Sequence, residues 1–430
     1  MTSADDLFDE IFDEAGAGIE RLGLRSIPFT ESAINLNDAD RLGSVFTGRT
    51  NELRSIFSQF KGSDRRRILV YGRIGSGKSA FVLQVLNTLQ RKRPKLLTTY
   101  TTLPDESDLT TTAFIALAQQ LPNDDWAQSR LHDLGLATAK PQKELSTEVN
   151  GSLVFGAKLG EKDRAIAKLE RPVEALQQLI DRARKQYTDG VVIAIDDLDK
   201  QDPARVRRLM HDAQGTLKGN ASFILTGHPI GMMGDLLTSE RGLFDHKIEL
   251  TDLDLATTEQ MLAKYLASVR LKPNPNGEPT KKPDLRPFTP EAARAFCRAS
   301  YGKPRLFNRL GNTVLNTAIE RGVTTIDLDI LRVGIRASEL SRRDRASLTA
   351  KEERLKALLE KNGSLSDETI RIEDLEQFGF RSFNEILPLL EKLEDADLAT
   401  RNELGYTTEF KPINADRPFG DFPETESIEP

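Results

Sequence analysis

The stretch Gly72-Arg73-Ile74-Gly75-Ser76-Gly77-Lys78-Ser79 decides the fold of this 430-residue chain. The apolar run Ile68–Tyr71 precedes it, and a segment with the apolar periodicity of a helix begins at Ser79. The stretch fits the pattern G-x-x-x-x-G-K-[ST], in which glycines let the backbone curl until its N–H groups converge on phosphate oxygens. The start of the helix adds its partial positive charge at the same place. The sequence therefore predicts a phosphate-binding loop between a buried strand and a helix.

Two side chains of this loop have separate predicted roles. Lys78 reaches the β and γ phosphates of a nucleotide, and the Ser79 hydroxyl coordinates Mg²⁺. The predicted cofactors are therefore ATP or ADP together with Mg²⁺. The residues predicted to surround the phosphates are Gly72, Arg73, Ile74, Gly75, Ser76, Gly77, Lys78 and Ser79.

A second buried run ends in carboxylates, Val191-Val192-Ile193-Ala194-Ile195-Asp196-Asp197-Leu198-Asp199. In a parallel sheet the carboxyl end of a strand lies at the edge where ligands bind. Because a carboxylate beside a buried strand needs a cation, Asp196 is predicted to hold Mg²⁺ through a water molecule. Asp197 is predicted to polarise the attacking water, with helix capping as the alternative. For Asp199, capping is the favoured interpretation.

Composition excludes several classes of protein. Hydrophobic residues make up 38% and charged residues 29% of the chain, and no apolar run is long enough to span a bilayer, so an integral membrane role is excluded. One cysteine excludes an intramolecular disulfide framework and a cysteine-based zinc site, and the four histidines lack metal-ligand spacing. The start of the chain is acidic, unlike a signal peptide, which predicts a cytoplasmic protein. The net charge of −6 argues against a chain-wide basic surface but leaves a local patch open.

The order of the patterns predicts several domains. Short β-branched runs that alternate with helical stretches predict an α/β domain with a parallel sheet, whose strands are Ile68–Tyr71, Leu96–Thr102, Val191–Ile195 and Ser222–Thr226. Helices alone predict an all-α lid domain, and three helices followed by a hairpin predict a winged helix. The predicted boundaries are an acidic segment at 1–44, the α/β domain at 45–250 with an inserted hairpin at 147–158, the lid at 251–341, the winged helix at 342–411 and an acidic tail at 412–430.

With these motifs in place, the chain resembles an AAA+ P-loop ATPase. It is similar in particular to the branch that holds the origin-recognition initiators and the STAND signalling ATPases, in a prokaryotic ORC-like form with a C-terminal winged helix. Four further stretches carry the resemblance: Phe46–Leu53 for the F-x-G-R-x-x-E-L motif, Ser222–Pro229 for sensor 1, Ser239–Phe244 for the arginine-finger position, and Gly302–Arg305 for the G-x-P-R of sensor 2.

The resemblance implies roles for single residues of these stretches. The segment with Phe46, Gly48 and Arg49 packs near the adenine. Thr226 senses the γ-phosphate or orients water, and Arg305 reaches back to the γ-phosphate and couples the nucleotide to the angle of the lid.

Two of the implied catalytic residues carry qualifications. The resemblance makes Arg241 an arginine finger for a neighbouring subunit, with a solvated surface charge as the alternative. Asp197 stands where a longer glutamate is commoner, so hydrolysis is expected to be slow.

The predicted winged helix is acidic, with twelve Lys or Arg and sixteen Asp or Glu across 342–411. Its recognition helix, Ser382–Lys392, contains no arginine, whereas a reader of the major groove needs Arg, Lys, Asn or Gln at exposed positions. Only Arg381 and Asn384 fit that need, so a DNA partner is not supported by this module, and contact with a protein suits it at least as well. Basic patches at 205–208 and 342–345 are an alternative source of DNA affinity, although ordinary solvated helix faces explain them better.

Two functions follow from these observations. The first is an ATP-binding, slowly hydrolysing switch that couples the nucleotide state to assembly on DNA or with a DNA-associated partner complex. The alternative is a STAND-like ATPase that controls a separate effector protein, with the winged helix used for protein contacts. Both predict self-association or a protein partner, and neither involves a membrane.

Overall fold

The computed structural model describes residues 16–30, 39–61, 65–105, 107–136, 169–198, 203–227, 243–271, 284–404 and 407–413. The predicted hairpin at 147–158, Asp199 and Arg241 lie outside the described residues, as do most of the predicted acidic segment and nearly all of the predicted tail. The chain divides into two compact units, one of residues 34–251 and one of residues 1–33 with 252–430.

The first unit is built on a five-stranded parallel sheet. Its strands are β1 (Arg67–Gly72), β2 (Leu96–Thr102), β3 (Gly190–Asp196), β4 (Ser222–Gly227) and β5 (His246–Leu250). They lie in the order β2-β3-β4-β1-β5, and every pairing is parallel. The four predicted strands are confirmed within one or two residues at each end. No sequence pattern predicted β5, because this edge strand is short and only two of its five side chains are buried.

Helices flank this sheet. They are α1 (Ala39–Val45), α2 (Thr50–Lys61), α3 (Lys78–Lys92), α4 (Leu109–Gln119), α5 (Asp125–Asp133), α6 (Pro172–Gln186), α7 (Pro203–Asp212) and α8 (Gln214–Leu217). Local chemistry sets some of their starts, since the Asp108 carboxylate accepts a hydrogen bond from the Thr111 N–H at 2.8 Å.

The central strand β3 is buried on both faces. Val191, Ile193 and Ile195 pack into one apolar cluster with α4 and α6, whereas Val192 and Ala194 pack into a second cluster with α2 and α3. Successive side chains of a strand point to opposite faces, so a continuous apolar run can fill two cores at once. The predicted doubly covered α/β sheet is therefore confirmed.

The second unit contains four longer helices: α9 (Leu255–Ser268), α10 (Pro290–Ala299), α11 (Pro304–Glu320) and α12 (Leu328–Ala346). Asp254, Thr289 and Asp327 cap three of them through side-chain oxygens, as expected for helix starts. Helix α12 continues past the predicted domain boundary at residue 341. Among the described helices of the chain, none has the length and apolar character needed to cross a bilayer.

Helix α12 contains the basic residues of 342–345. Arg342 is 3% exposed, and its guanidinium donates to the carbonyls of Ser338 and Asp397. Arg343 is paired with Glu353 at 2.6 Å. The favoured interpretation of a solvated helix face is therefore wrong for Arg342, and so is the alternative of a basic patch, because its guanidinium is buried. The neighbouring Arg343 is already paired with a carboxylate.

A small module of helices and antiparallel strands ends the described chain. It comprises α13 (Ala350–Asn362), β6 (Leu365–Ser366), α14 (Ile372–Gln377), α15 (Phe383–Asp395), β7 (Ala399–Leu404) and β8 (Thr407–Pro412). The sheet order is β6-β8-β7. Thr349 and Glu352 form a capping box at the start of α13, and Gly363 ends this helix in a left-handed conformation. These elements follow the order predicted for a winged helix, with the two-residue strand β6 as an addition that alternation could not reveal.

Gly302 opens the G-x-P-R segment at a position where only glycine fits. Its φ is +66°, and a Cβ there would lie 1.9 Å from the carbonyl oxygen of Leu253. At the other end of α11, Gly322 has nearly the same φ of +65°, but the nearest atom to its Cβ, on Arg21, is 3.9 Å away. Substitution of these two glycines therefore distinguishes the free-energy cost of the left-handed backbone from the cost of a steric collision.

We expect Gly302→Ala to lower the free energy of unfolding more than Gly322→Ala does. A left-handed alanine costs about 1–2 kcal/mol at either position, and only at Gly302 is the collision with Leu253 added. Urea unfolding followed by circular dichroism measures the difference. Equal losses for the two variants would show that Gly302 does not approach Leu253 as described.

Candidate phosphate-binding site

The predicted phosphate loop joins β1 to α3, and its glycines are required by geometry. Gly75 and Gly77 have φ of +82° and +89°. A Cβ on Gly72 would lie 2.6 Å from the carbonyl oxygen of Leu250 and 2.8 Å from Ser76 Oγ. The loop thus turns tightly against β5, as a loop that cradles an anion with its backbone must.

The polar groups of the loop fit a phosphate ligand. Lys78 is buried, and its ammonium donates to the carbonyls of Gly72 at 2.9 Å and Arg73 at 3.1 Å, so the charge is held over the loop itself. Ser76 Oγ is buried and finds no hydrogen-bond partner within the part of the chain that the structure describes. A buried cation beside a buried hydroxyl, at the N-terminus of α3, matches the chemistry of an anionic ligand.

Arg49 connects the F-x-G-R-x-x-E-L motif to this loop. Its guanidinium is mostly buried, pairs with Glu52 at 3.2 Å and donates to the carbonyl of Ser76 at 3.3 Å and to that of Thr251. Arg49 therefore braces the backbone of the loop, a contact between distant residues that the sequence did not reveal. The role of this segment near the adenine stays a prediction. Phe46 packs against the core beside α2 and α3.

The acidic end of β3 lies beside the end of β4. Asp196 is 2% exposed, and its Oδ1 accepts a hydrogen bond from the Thr226 hydroxyl. The pairing of Ile195 with Leu225 sets this register, since it places both side chains at the same edge of the sheet. The structure thus brings together the predicted metal ligand and the predicted sensor residue, while their roles stay predictions.

Asp197 adopts a left-handed backbone conformation, with φ of +67°. Its N–H donates to Asp196 Oδ1 at 2.9 Å and to Thr226 Oγ1 at 3.2 Å. Aspartate is one of the few residue types that tolerate this region, and such conformations are often found at functional sites. The turn redirects the chain immediately after the buried strand, at the ligand-binding edge.

Tyr100 belongs to the same cluster, although no sequence motif marked it. Its hydroxyl donates to Asp196 Oδ2 at 2.5 Å. Burial, together with the nearby Asp196 carboxylate, raises the pKa of Tyr100 well above its usual value, so the phenol keeps its proton. The available signal was the parallel pairing of β2 with β3, which puts Thr102 opposite Asp196 and Tyr100 within reach of it.

The remaining predicted residues have different positions. Ile74 lies in the turn of the loop, and Gly48 has a φ of +73°. Arg305 is exposed in the first turn of α11, in the second unit. Its predicted contact with the γ-phosphate therefore stays a prediction, as does the finger role of Arg241 outside the described residues.

Comparison with known sequences identifies the domain that contains this cluster. The sequence model of the AAA ATPase domain family matches residues 45–216, which span the phosphate loop and the acidic strand. The chain carries an AAA ATPase domain. This confirms the predicted AAA+ P-loop domain, and the observed sheet confirms its α/β class. No curated protein matches the chain.

Several solved structures are similar to most of the chain at low sequence identity. The Orc1 protein of Aeropyrum pernix in complex with DNA is 13% identical, with a TM-score of 0.49 over 87% of this chain and 91% of that one. Cdc6p of Pyrobaculum aerophilum is 13% identical, with a TM-score of 0.43 over 89% and 96%. The RuvB Holliday junction branch migration motor of Thermotoga maritima is 16% identical, with a TM-score of 0.42 over 83% and 90%.

We expect Arg49→Ala to weaken the ATPase domain and loosen its phosphate loop. The change removes a buried cation that holds the carbonyl of Ser76, and hydrogen bonds to charged groups contribute about 1.5–3 kcal/mol each. Chemical unfolding measures the loss of stability, and limited proteolysis reports on the loop. Arg54→Ala on the exposed side of α2 is the matched control and should change neither. Wild-type stability in Arg49→Ala would contradict the bracing role.

Proposed function

We infer that this protein is an ATP-dependent molecular switch that binds Mg²⁺ and ATP and hydrolyses ATP slowly. The observation that carries the proposal is the convergence of the phosphate loop with Asp196, Asp197 and Thr226 at the carboxyl edge of one parallel sheet. The match of this region to the AAA ATPase domain supports the same reaction class.

The proposed binding of the triphosphate uses the loop backbone and one cation. Lys78 would exchange its present carbonyl acceptors, those of Gly72 and Arg73, for phosphate oxygens. Ser79 and Asp196 would hold Mg²⁺. So few protein ligands suit this metal, because its other ligands are phosphate and water. When bound, Mg²⁺ would neutralise charge on the phosphates.

The proposed hydrolysis depends on Asp197. Its carboxylate follows the metal-binding position and would orient and polarise the attacking water, as Thr226 keeps Asp196 in place. An aspartate reaches less far than a glutamate by one methylene. We therefore propose slow turnover, in which hydrolysis resets the switch.

Contacts inside the second unit support transmission from the G-x-P-R segment to the C-terminal module. Lys303 is 2% exposed and lies 3.8 Å from Glu394 of α15. Arg309 of α11 pairs with Asp397 at 2.6 Å, and Arg342 of α12 donates to the Asp397 carbonyl. Breaking buried charge pairs is costly. A change at Arg305 would therefore move α11 and the module together, which is the coupling that the switch needs.

The surface of the module favours a protein partner. At least seven of its twelve basic residues form ion pairs with carboxylates within the described part of the chain: Arg343, Lys351, Lys356, Arg371, Lys392, Arg401 and Lys411. Binding to DNA draws on unneutralised Lys and Arg to release counterions from phosphates. The exposed part of α15 carries Asn384 and Pro388, beside half-buried Phe383 and Leu387. This polar and apolar surface suits a protein contact better than a DNA groove.

Two settings for such a protein contact stay open. In the first, the nucleotide state controls assembly on DNA through a DNA-associated partner complex, with self-association of this chain. In the second, the protein is a STAND-like regulator of a separate effector protein. The paired charges of the module are equally compatible with both settings, because each places a protein surface against α15.

Two substitutions test the ATP site. We expect Lys78→Ala to reduce ATP affinity by about 100-fold, because it removes a charge-assisted contact with the phosphates. Asp197→Ala should keep ATP binding and lose turnover. Isothermal titration calorimetry and phosphate release measure the two effects, and Lys92→Ala, at the exposed end of α3, is the control. Unchanged ATP affinity in Lys78→Ala would contradict the site.

Salt dependence tests the partner. If the module binds protein, duplex DNA should bind the ATP-loaded chain weakly, and substitution of Arg381 and Asn384 by Ala should not alter that binding. Fluorescence anisotropy from 50 to 200 mM salt measures it. Tight binding that falls steeply with salt and weakens in the double variant would favour a DNA reader.

A further inference from the structure

A group of basic residues lies at the amino end of the five-stranded sheet, at the opposite edge from the phosphate loop. Because every strand pairing is parallel, the segments that lead into the five strands meet at this edge. These segments and the helix ends beside them carry six exposed basic side chains, which form the amino-end patch: Lys61, Arg65, Arg91, Lys95, Lys185 and Lys218. The proposed function gives this patch no role.

Hydrogen bonds show that the segments of the patch are neighbours in space. The Arg93 guanidinium donates to the carbonyl of Phe60 near the end of α2 at 3.4 Å, and to that of Asp189 before β3 at 3.0 Å. The Asp189 N–H donates to the carbonyl of Lys95 before β2 at 3.0 Å. The ends of α2 and α3 are therefore held against the starts of β2 and β3.

A second set of hydrogen bonds extends the patch across the sheet. Arg65, two residues before β1, donates to Asn220 Oδ1 at 3.0 Å, and Arg184 near the end of α6 donates to the Asn220 carbonyl at 3.2 Å. Asn220 itself stands two residues before β4. Because the run β2-β3-β4-β1 covers three strand spacings, the basic side chains are spread over about 14 Å along this edge.

The positive charge of the patch faces water. All six side chains are exposed, and five of them form no ion pair within the residues that the structure describes: Lys61, Arg91, Lys95, Lys185 and Lys218.

Three described carboxylates lie at the same end of the sheet. Asp245 pairs with Arg67 at 2.7 Å, and Asp189 lies 3.7 Å from Arg93. Asp181 accepts a hydrogen bond from the Asn220 amide at 3.3 Å. These carboxylates face arginines and an amide outside the patch, so the patch keeps an excess of positive charge.

Helix termini explain only part of this placement. A cation in the last turn of a helix interacts favourably with the helix dipole, which accounts for Arg91 and Lys185. Lys95 and Arg65 belong to no helix and stand in the segments before β2 and β1. Their presence at the same edge points to a ligand of opposite charge.

We propose that the amino-end patch binds the sugar–phosphate backbone of duplex DNA, independently of base sequence and of the C-terminal module. Duplex DNA carries about one negative charge per 1.7 Å of its axis, so a contact about 14 Å long meets about eight phosphates. Basic side chains that contact phosphates release counterions, which drives association. Strand β3 has seven residues and separates the patch from the ATP site by about 20 Å, so DNA on the patch leaves that site open.

The surroundings of the patch favour duplex DNA over other anionic partners. Among the described residues, the exposed large apolar side chains are Leu271, Val333 and Leu340, all in the second unit. The patch therefore lacks the apolar core of a typical protein interface and the apolar anchor that inserts into a membrane. It also lacks the exposed aromatic rings on which single-stranded bases stack.

The test replaces four cations of the patch with neutral side chains: Arg91→Gln, Lys95→Gln, Lys185→Gln and Lys218→Gln. The wild type should bind a random-sequence duplex of about 20 base pairs weakly, with a dissociation constant on the order of micromolar that rises with salt. In the quadruple variant the affinity at low salt should fall about tenfold or more. The slope of log affinity against log salt should shrink by about three to four, because about 0.9 is lost with each phosphate contact. Fluorescence anisotropy of the full chain from 50 to 200 mM salt measures both.

The matched control removes the same number of exposed positive charges from the second unit: Arg321→Gln, Arg332→Gln, Arg354→Gln and Lys361→Gln. It should keep the affinity and the slope of the wild type, because it changes the net charge equally and leaves the patch intact. The double variant Lys95→Gln/Lys185→Gln is a milder second test that should lose about half as much slope. Thermal unfolding checks that each variant is folded.

The outcomes also separate this inference from the proposed function. A loss of DNA affinity confined to folded patch variants supports the inference. Equal losses in the patch and control variants, or wild-type affinity in the patch variants, overturn it. A wild type that binds polyglutamate or phosphatidylserine vesicles but not the duplex overturns it as well. Isothermal titration calorimetry should show wild-type affinity for Mg²⁺·ATP in the patch variants, whereas a folded wild type that binds no ATP overturns the proposed function alone.

Discussion

A buried carboxylate at the end of a buried strand is the constraint on which the site depends. Asp196 is almost fully removed from water, and an isolated charge in that place would be strongly unfavourable. The protein surrounds it with donors from three directions: Tyr100 of β2, Thr226 of β4 and the backbone of Asp197. Each donor is fixed by the register of the parallel sheet. The fold thus keeps the negative charge of Asp196 at the carboxyl edge of the sheet, where a cation can bind.

The phosphate loop meets the same edge from another direction. Strand β4 lies between β1 and β3, so the loop after β1 and the carboxylates after β3 flank the end of β4 with Thr226. Arg49, the residue before α2, braces the loop, and the Lys78 ammonium is held over the carbonyls of the loop. The backbone of the loop is therefore held in place without a ligand, which under the proposed function would lower the cost of ordering the site on binding.

The second unit shows a different use of charge. Around the turn after α15, ion pairs and hydrogen bonds join α11 and α12 to the C-terminal module through Asp397 and Glu394. Elsewhere on the module, several basic side chains are paired with neighbouring carboxylates. Charge pairs of this kind fix the orientation of the helices that they join.

The sequence by itself determined the phosphate loop, the strand ends and the starts of capped helices, because these depend on glycine conformation, side-chain alternation and capping within a few consecutive residues. Tertiary structure alone decided the roles of Tyr100, Arg49 and Arg342. Tyr100 meets Asp196 across 96 residues, and Arg342 meets Asp397 across 55. Such contacts depend on which strands are neighbours and how far a side chain reaches. The edge strand β5 was not predicted for a related reason, since its pairing with β1 exists only once the sheet is assembled.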